Sequence, residues 1–338
     1  MKAPRVLVVT NMFPSAERPY FGIFVARQVE ALEALGVETT VETIAAGRGE
    51  ADYFLGRRRV RRTVRGFRPD VIHCHYGYTP LAVVGSGVPY VVTLCGDDLN
   101  GESNGQGGVT LKSRAGIEVT QAMSALARRV LVQSEAMRRA LRPRARSLAE
   151  VLPNGVDAEA FAPGSRRAAR AYLGVPDDRL VIGFVHSIRQ PTKRLDIAQA
   201  VRDELERRGV ATHLLVAESV PAAAMPWYYR AADCLLMTSD REGAPNCVKE
   251  ALACGVPVVG RPVGDLPELI RDPAMGRVVA SRDPARLADA IVSLDRGPDV
   301  RAPMLPAPFR SENIAARLVE IYRSIAGNSS GNTPVGSV

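Results

Sequence analysis

The chain has few of the residues that mark a disulfide scaffold, a metal site or a nucleic-acid surface. Its five cysteines lie far apart and form no CxxC pair, so neither a disulfide framework nor a zinc ribbon is indicated. We interpret them as small core residues. Aromatic residues make up only 5% of the sequence and are not interleaved with the arginine clusters, which argues against a base-stacking surface for nucleic acid.

Long apolar runs and glycine-rich nucleotide motifs are also lacking. The first apolar run, Val6 to Thr10, is too short for a signal-peptide core or a membrane span, so we expect a cytoplasmic protein. Neither half carries a GxGxxG turn or a Walker A loop, which argues against a dehydrogenase and a P-loop ATPase. No third ligand accompanies His73 and His75 at metal-site spacing, so a zinc site is not expected.

The chain does have an excess of arginine, which contributes to a net charge of +8. The arginines form two clusters: Arg57, Arg58, Arg59, Arg61, Arg62 and Arg65, and then Arg138, Arg139, Arg142, Arg144 and Arg146. Two interpretations remain open for them. They are either solvated helix faces or contacts to an anionic surface such as the inner face of the cell membrane.

Apolar runs that predict buried strands alternate with stretches of helical periodicity. This alternation is typical of parallel sheets covered by helices, and 338 residues suffice for two such domains. Pro, Asn and Gly between Pro153 and Gly164 mark the join. The predicted strands are 5–10, 38–44, 71–75, 90–94, 130–133, 180–185, 212–217, 234–237 and 256–260.

The stretch from Glu242 to Glu250 opens a predicted helix whose first turn we expect near Pro245. A helix N-terminus presents unpaired N–H groups and the positive end of its dipole, so it can hold an anion. Helical periodicity places Glu250 at the edge of an apolar arc and turns Lys249 away from it. Eight fully helical positions would separate the two carboxylates by about 12 Å, which suits different parts of one long ligand better than paired acid and base chemistry.

Three segments carry a family resemblance. The segment EGAPNCVKEALACGVPVVG resembles the E-x7-E motif of retaining glycosyltransferases of family 4, which have the GT-B fold. VLPNGVDAEAFAP, at the join, and FVHSIRQPTKRLD, at the first strand of the second half, resemble the same family in matching places. The resemblance implies an α/β protein of two Rossmann-like, doubly wound parallel-sheet domains that face each other across a cleft.

The resemblance also implies where the domains begin and end. Residues 1–153 would form the acceptor-side domain, and 154–309 the domain that binds the nucleotide sugar. A C-terminal helix at about 310–326 is expected to pack back on the first domain. Residues 327–338 are rich in Gly, Ser and Asn, and we expect them to be disordered.

By resemblance, the second domain holds the donor. Glu250 would hydrogen-bond the ribose, and Glu242 would face the transferred sugar. Lys193 and Arg189 would bind the diphosphate, because fixed cations stabilise the charge that a leaving group gains in the transition state. Further donor contacts are expected from Gly22, Gly243, Ala244, Pro245, Asn246 and Asn154.

The acceptor or sugar side is predicted after two strands of the first half. His75 ends one of these strands, and Cys95, Asp97 and Asp98 follow the next. Many family members have a histidine where this chain has Cys95. The chain therefore departs from the family near the sugar.

Together these features predict transfer of a sugar from a nucleotide diphosphate sugar to an acceptor hydroxyl, with retention of anomeric configuration and without a metal or cofactor. The acceptor would be a sugar, a lipid-linked molecule or a small molecule, in polysaccharide, glycolipid or natural-product biosynthesis. Two alternatives remain open. One is a non-catalytic sugar-nucleotide-binding or membrane-surface protein on the same fold, and the other is a GT-B sugar epimerase.

Overall fold

A computed structural model describes residues 3–19, 21–44, 51–101, 110–186 and 191–329. The chain divides into two compact units. Unit 1 contains Met1–Gly155 and Ser311–Val338, and unit 2 contains Val156–Arg310. Each unit is a parallel sheet with apolar clusters and helices packed against it.

The sheet of unit 1 has six strands. They are β1 (Arg5–Thr10), β2 (Glu38–Thr43), β3 (Val71–His75), β4 (Tyr90–Thr93), β5 (Arg129–Val132) and β6 (Ala149–Val151). All of them pair in parallel, in the order β2-β1-β3-β4-β5-β6. Every residue of β3 and β4 is buried, as expected for strands covered on both faces.

Within the described ranges, six α-helices connect these strands. They are α1 (Ile23–Ala34), α2 (Ala51–Phe67), α3 (Asp97–Asn100), α4 (Leu111–Leu126), α5 (Glu135–Ala140) and α6 (Pro143–Ser147). One face of α1 packs Val25, Val29 and Leu32 against the sheet, at the spacing expected for a helix with one buried side.

The sheet of unit 2 has five parallel strands. They are β7 (Leu180–His186), β8 (Thr212–Glu218), β9 (Cys234–Met237), β10 (Val258–Gly260) and β11 (Gly276–Val278). Their order is β11-β10-β9-β7-β8. The helices are α7 (Arg166–Leu173), α8 (Leu195–Arg207), α9 (Met225–Ala231), α10 (Asn246–Ala253), α11 (Leu266–Leu269) and α12 (Pro284–Val292).

The last helix, α13 (Ser311–Ser329), belongs to unit 1 and packs beside α1 through Ile314, Leu318 and Tyr322. The structure therefore divides the chain at 155/156 and 310/311, where the sequence predicted 153/154 and 309/310. The prediction that disorder begins at residue 327 is wrong, because residues 327–329 are helical; the residues after 329 lie outside the described part. No helix within the described ranges is both long and apolar enough to cross a membrane.

A buried ion-pair network anchors α7 to the start of the second sheet. The carboxylate of Asp233 accepts hydrogen bonds from Arg166 at 3.0 Å, from Arg170 at 2.8 Å and from the backbone N–H of Val181 at 2.8 Å. The side chains of Arg170 and Asp233 are each only 4% exposed. Since each charge has lost most of its hydration, each depends on the other for compensation.

We expect Asp233→Ala to lower the free energy of unfolding of unit 2 by about 3–5 kcal/mol, because it removes the buried carboxylate nearest to the buried guanidinium of Arg170. Urea or thermal unfolding would measure this change. Asp289→Ala is the matched control, since Asp289 pairs with Arg208 at 2.6 Å but is 67% exposed, and its loss should cost less than about 1 kcal/mol. Equal effects of the two substitutions would contradict the network's role.

Candidate functional site

The second sheet reverses its winding between β7 and β9, because β8 lies on one side of β7 while β9, β10 and β11 lie on the other. Open parallel sheets bind ligands outside the carboxyl ends of the strands at such a switch point. Lys193 follows β7 and Glu242 follows β9. Lys193 Nζ lies 2.6 Å from Glu242 Oε1, and each side chain is 16% exposed. The structure thus brings together two residues that the sequence assigned to the donor.

The loop after β9 fixes the backbone that carries Lys193. The hydroxyl of Thr238 lies 2.8 Å from the carbonyl of Lys193 and 2.9 Å from that of Arg194, so its proton is directed between them. The backbone N–H of Asp240 donates to the carbonyl of Thr192 at 2.9 Å. Thr238 is fully buried, so the ammonium of Lys193 is presented from a rigid support.

The segment from Glu242 to Pro245 leads into α10. The helix begins at Asn246, one residue later than predicted, and Pro245 is its N-cap. Proline has no side-chain oxygen that could cap the first N–H groups, so this helix start is suited to an external anion. Glu242 is also held by Ser239, whose hydroxyl donates to Oε1 at 2.7 Å.

Glu250 is held by α9. The hydroxyl of Tyr229 donates to Glu250 Oε2 at 2.7 Å, and Tyr229 is 2% exposed. Burial, and next the nearby carboxylate, raise the pKa of Tyr229 well above its usual range, so this hydroxyl remains a donor at every relevant pH. Glu242 and Glu250 are therefore oriented by different elements, as suits two contacts on one extended ligand.

Two predictions about this region have other outcomes. Lys249 was expected to point away from the apolar arc, but its side chain is fully buried and pairs with Asp265 at 3.2 Å. Arg189 lies outside the described residues. His186 ends β7 and stacks on Phe184, with ring centroids 6.3 Å apart.

In unit 1 the strand order reverses between β1 and β3. Gly22 caps α1 in the left-handed region, with φ of 71°. A Cβ at this position would lie 2.3 Å from the carbonyl carbon of Met12 and 2.7 Å from the nitrogen of Phe13. Glycine is thus required by the close approach of the loop after β1; its contact with the donor remains a prediction.

The acidic loop after β4 separates its two aspartates. Asp97 is exposed, whereas Asp98 is buried and accepts hydrogen bonds from the backbone N–H groups of Gly77, Cys95 and Gly96 at 2.9–3.1 Å. The Asp98 carboxylate therefore joins the loops after β3 and β4. Its oxygens are turned inward in these hydrogen bonds, and its place on the sugar side remains a prediction. Cys95 is half-buried, and its place near a sugar remains a prediction.

His75 is enclosed at the end of β3. The ring is 1% exposed and lies 4.3 Å from the ring of His73, measured between centroids. Neither ring nitrogen has a hydrogen-bond partner among the described residues, and burial lowers the pKa of His75 to about 3. The structure therefore gives a neutral, buried imidazole, and its contact with an acceptor remains a prediction.

Asn154 lies at the end of unit 1, where its backbone N–H donates to the side chain of Gln133 at 2.9 Å. This bond fixes the chain shortly before the join between the units. The predicted donor contact of Asn154 stays a prediction.

Sequence reasoning missed the residues that support the predicted ones: Thr238, Ser239, Asp240 and Tyr229. The first three directly follow β9, so the rule that ligands bind beyond strand ends could have singled them out. Tyr229 gives no such signal, because it lies in a short helix between two strands. Within the described ranges, no three His, Cys, Asp or Glu side chains cluster in a way that could hold a metal ion.

Comparisons with known proteins agree with this geometry. A profile described as Glycosyltransferase Family 4 matches residues 5–160, and one described as Glycosyl transferases group 1 matches residues 176–296. The chain is 32% identical to the D-inositol 3-phosphate glycosyltransferases of Mycobacterium tuberculosis and Mycobacterium bovis, over 53% of this chain and 44% of the relatives. It thus spans less than half the length of the curated relatives that it matches.

Two solved structures are similar over nearly the whole chain. The sucrose-phosphate synthase of Thermosynechococcus elongatus has a TM-score of 0.76 at 17% identity, covering 96% of this chain and 100% of that chain. The Anabaena protein HepE in complex with UDP-glucose has a TM-score of 0.63 at 18% identity, covering 97% and 100%. At these identities the likeness defines the fold alone.

Two parallel α/β units, together with these neighbours, define the GT-B fold, as the sequence predicted. The two profiles together extend over most of both units, and the chain belongs to the family 4 glycosyltransferases, which are also described as group 1.

The buried Asp98 generates a test of the unit 1 site. Burial raises the pKa of Asp98 to about 6, although the backbone N–H groups that donate to its carboxylate act to lower it. Because the folded-state pKa lies above that of an unfolded aspartate, the stability contributed by Asp98 is fully present below about pH 4 and is lost as pH rises through about 6. Asp98→Asn cannot ionise, so it should gain about 3 kcal/mol relative to wild type between pH 4 and 7.

Urea unfolding of both proteins across this pH range would measure the difference. Asn also loses some of the hydrogen bonds, which lowers stability at every pH and leaves the slope as the informative quantity. Asp97→Asn, on the exposed neighbour, should show no such slope. A flat difference for Asp98→Asn would contradict the raised pKa.

Proposed function

We propose that this chain transfers a sugar from a nucleotide diphosphate sugar to an acceptor hydroxyl. One observation carries the proposal: Lys193 and Glu242 meet at the switch point of the second sheet, beside the start of α10. Glu250, held by Tyr229, lies on the same helix. A cation, an anion-binding helix start and two separately held carboxylates match the diphosphate, the sugar and the ribose of one donor.

The proposed chemistry relies on charge rather than on a nucleophilic residue. As the sugar–phosphate bond breaks, negative charge builds up on the departing diphosphate. The Lys193 ammonium and the N–H groups at the start of α10 stabilise that charge, and they do so most in the transition state. Arg189, which the family resemblance assigns to the same role, would add a second cation.

Glu242 pairs with the ammonium of Lys193. A diphosphate competes for that ammonium because it carries more negative charge than one carboxylate. Glu242 then turns to the hydroxyl groups of the sugar, where a carboxylate is a strong acceptor. The donor would in this way rearrange the pair that it meets.

The comparisons support a nucleotide-sugar donor. HepE binds UDP and UDP-glucose, and the mycobacterial relatives are named as glycosyltransferases of D-inositol 3-phosphate. We extend the nucleotide-sugar donor to this chain by its family membership. Retention of anomeric configuration, independence of a metal or cofactor, and a role in polysaccharide, glycolipid or natural-product assembly complete the proposal. In the retaining reaction, the leaving diphosphate oxygen would take the proton of the acceptor hydroxyl.

Donor binding and turnover test the proposal with three variants. Calorimetry with UDP-, ADP- and GDP-glucose should find at least one ligand, and Glu250→Ala should weaken it about 10- to 100-fold, because a hydrogen bond to a charged group is lost. Lys193→Met should lower kcat/KM by about 100-fold or more. Lys112→Met, at an exposed lysine of unit 1, should match wild type.

Product analysis separates the alternatives. NMR of the product should show the anomeric configuration of the donor. Donor binding without transfer to any acceptor of a broad panel would favour a non-catalytic binding protein, and conversion of the sugar without an acceptor would favour an epimerase. Binding that does not respond to Glu250→Ala would contradict the assigned site.

A specific observation also favours an anionic membrane surface as a partner. Arg58, Arg61, Arg62 and Arg65 are exposed on one face of α2, and none has an ion-pair partner among the residues that the structure describes. Phe54 and Leu55 extend this face with side chains that are 54% and 66% exposed. Basic side chains beside exposed apolar ones are typical of helices that lie on a membrane surface.

Most of the other arginines that the sequence singled out are engaged elsewhere. Arg57 donates to the carbonyl of Val84, and Arg59 pairs with Glu42 at 2.7 Å. In the second cluster, Arg138 and Arg139 pair with Glu135, and Arg142 pairs with Glu118. Contact with a membrane is therefore proposed for α2 alone, because its four exposed arginines without an ion-pair partner among the described residues share a face with Phe54 and Leu55.

Vesicle sedimentation tests this surface. Replacing Arg58, Arg61, Arg62 and Arg65 by Gln should weaken binding to phosphatidylserine-rich vesicles on the order of 100- to 1,000-fold, at about 1 kcal/mol per basic residue. The matched control replaces Arg138, Arg139, Arg142 and Arg144 by Gln and should leave binding unchanged. Equal loss in both variants would indicate a response to net charge only, and no binding by wild type would exclude the surface.

A further inference from the structure

Lys249 lies next to Glu250 on α10 and is fully buried. Its ammonium is 3.2 Å from Asp265 Oδ2, and the side chain of Asp265 is 11% exposed. The Asp265 carboxylate accepts no well-formed hydrogen bond from the described residues, so Lys249 is its main compensation. Burial raises the pKa of Asp265, which reports how little solvation the carboxylate retains.

Stability does not explain such a pair. Removing two charges from water is costly, and apolar side chains of similar volume in the same place are often as stable or more stable. The role of the pair therefore lies in the segments that it holds in place.

Lys249 and Gly264, the residue before Asp265, contact the segment that enters α10. Lys249 Nζ donates to the carbonyl of Ala244 at 3.4 Å. Asp265 follows Gly264, whose φ is +61° and whose missing Cβ would lie 3.0 Å from the carbonyl oxygen of Gly243 and 3.1 Å from Pro245 Cδ. The loop after β10 is therefore pressed against residues 242–245, and the ion pair ties that loop to α10.

Lys249 also reaches the end of unit 2. Its ammonium lies 5.9 Å from the ring centroid of Phe309, whose carbonyl accepts a hydrogen bond from Val156 at 2.9 Å. The ammonium thus has a carboxylate, a carbonyl and an aromatic face around it. This enclosure fixes the position of the ammonium.

We propose that Lys249 and Asp265 are positioning residues, which hold the backbone of residues 242–246 in the conformation that receives the diphosphate and sugar of the donor. The proposal rests on the donor site proposed above. The pair acts through Ala244 and Gly264 and touches no part of the donor itself. Loss of the ion pair should therefore weaken binding of the diphosphate sugar. Binding of the nucleoside part, which is assigned to Glu250, should stay unchanged.

The test uses the double variant Lys249→Met/Asp265→Leu in the full chain, because either single change leaves a buried charge unpaired and endangers folding. Its melting temperature should equal or exceed that of wild type. Hydrogen exchange of the amides of Gly243, Ala244 and Asn246 should accelerate at least tenfold without ligand. The Kd of the best-bound of UDP-, ADP- and GDP-glucose should rise at least tenfold, and that of the matching nucleoside monophosphate should change less than twofold.

Arg208→Met/Asp289→Leu is the matched control. It removes an exposed ion pair of unit 2 whose nitrogen and oxygen lie 2.6 Å apart, compared with 3.2 Å in the buried pair. It should change none of these quantities. Unchanged exchange and unchanged donor affinity in the buried-pair variant would overturn the inference, as would an equal loss for donor and monophosphate. If wild type binds no nucleotide, the proposed function fails, and the exchange of residues 243–246 alone decides whether the pair positions this segment.

Discussion

The reversal of strand order in the second sheet is the constraint on which the candidate site depends. Because β8 and β9 lie on opposite sides of β7, the loops after β7 and β9 leave the sheet in directions that open a gap above it. Lys193 and Glu242 enter this gap from the two loops and meet at 2.6 Å. Without that topology, Lys193 and Glu242, which are far apart in sequence, would not be brought together.

The supporting contacts follow from the same constraint. Backbone groups at strand ends have no further strand to pair with, so they require partners from the neighbouring loop. Thr238 and Asp240 supply them to residues 192–194, and Gly264 lets the loop after β10 pack against the start of α10. The candidate site is thus formed by the contacts that satisfy backbone hydrogen-bonding groups where the strands end.

Nine of the eleven strands in the described residues could be predicted from the sequence, most of them because they form buried apolar runs, whereas β6 and β11, with three residues each, were missed. The run 71–75 matches β3 without error for this reason. The motif from Glu242 to Glu250 was also recognisable, since its residue types and spacing belong to one continuous segment. Its helix start at Asn246 differs by one residue from the prediction, within the ordinary variation of helix ends.

Lys249 and Asp98 show what the sequence could not reveal. Helical periodicity sorts residues by polarity, and it predicted that Lys249 points away from the apolar arc. Only the tertiary structure places Asp265 and Phe309 where they enclose its ammonium. Asp98 looked like a polar residue at a ligand, but three backbone N–H groups, from loops that meet only in the fold, turn it inward. In both cases a charged side chain has partners that only the fold brings to it.

The charge balance of the site bears on its proposed chemistry. Lys193 and Glu242 neutralise each other, so neither is an isolated, half-buried charge. On the proposed function, a donor brings both a stronger anion for the lysine and hydroxyl groups for the glutamate, whereas a ligand with only one of these leaves one member of the pair without its best partner. Discrimination in favour of a complete diphosphate sugar over a free sugar or an inorganic phosphate would then follow from the ion pair, before any contact with the base is considered.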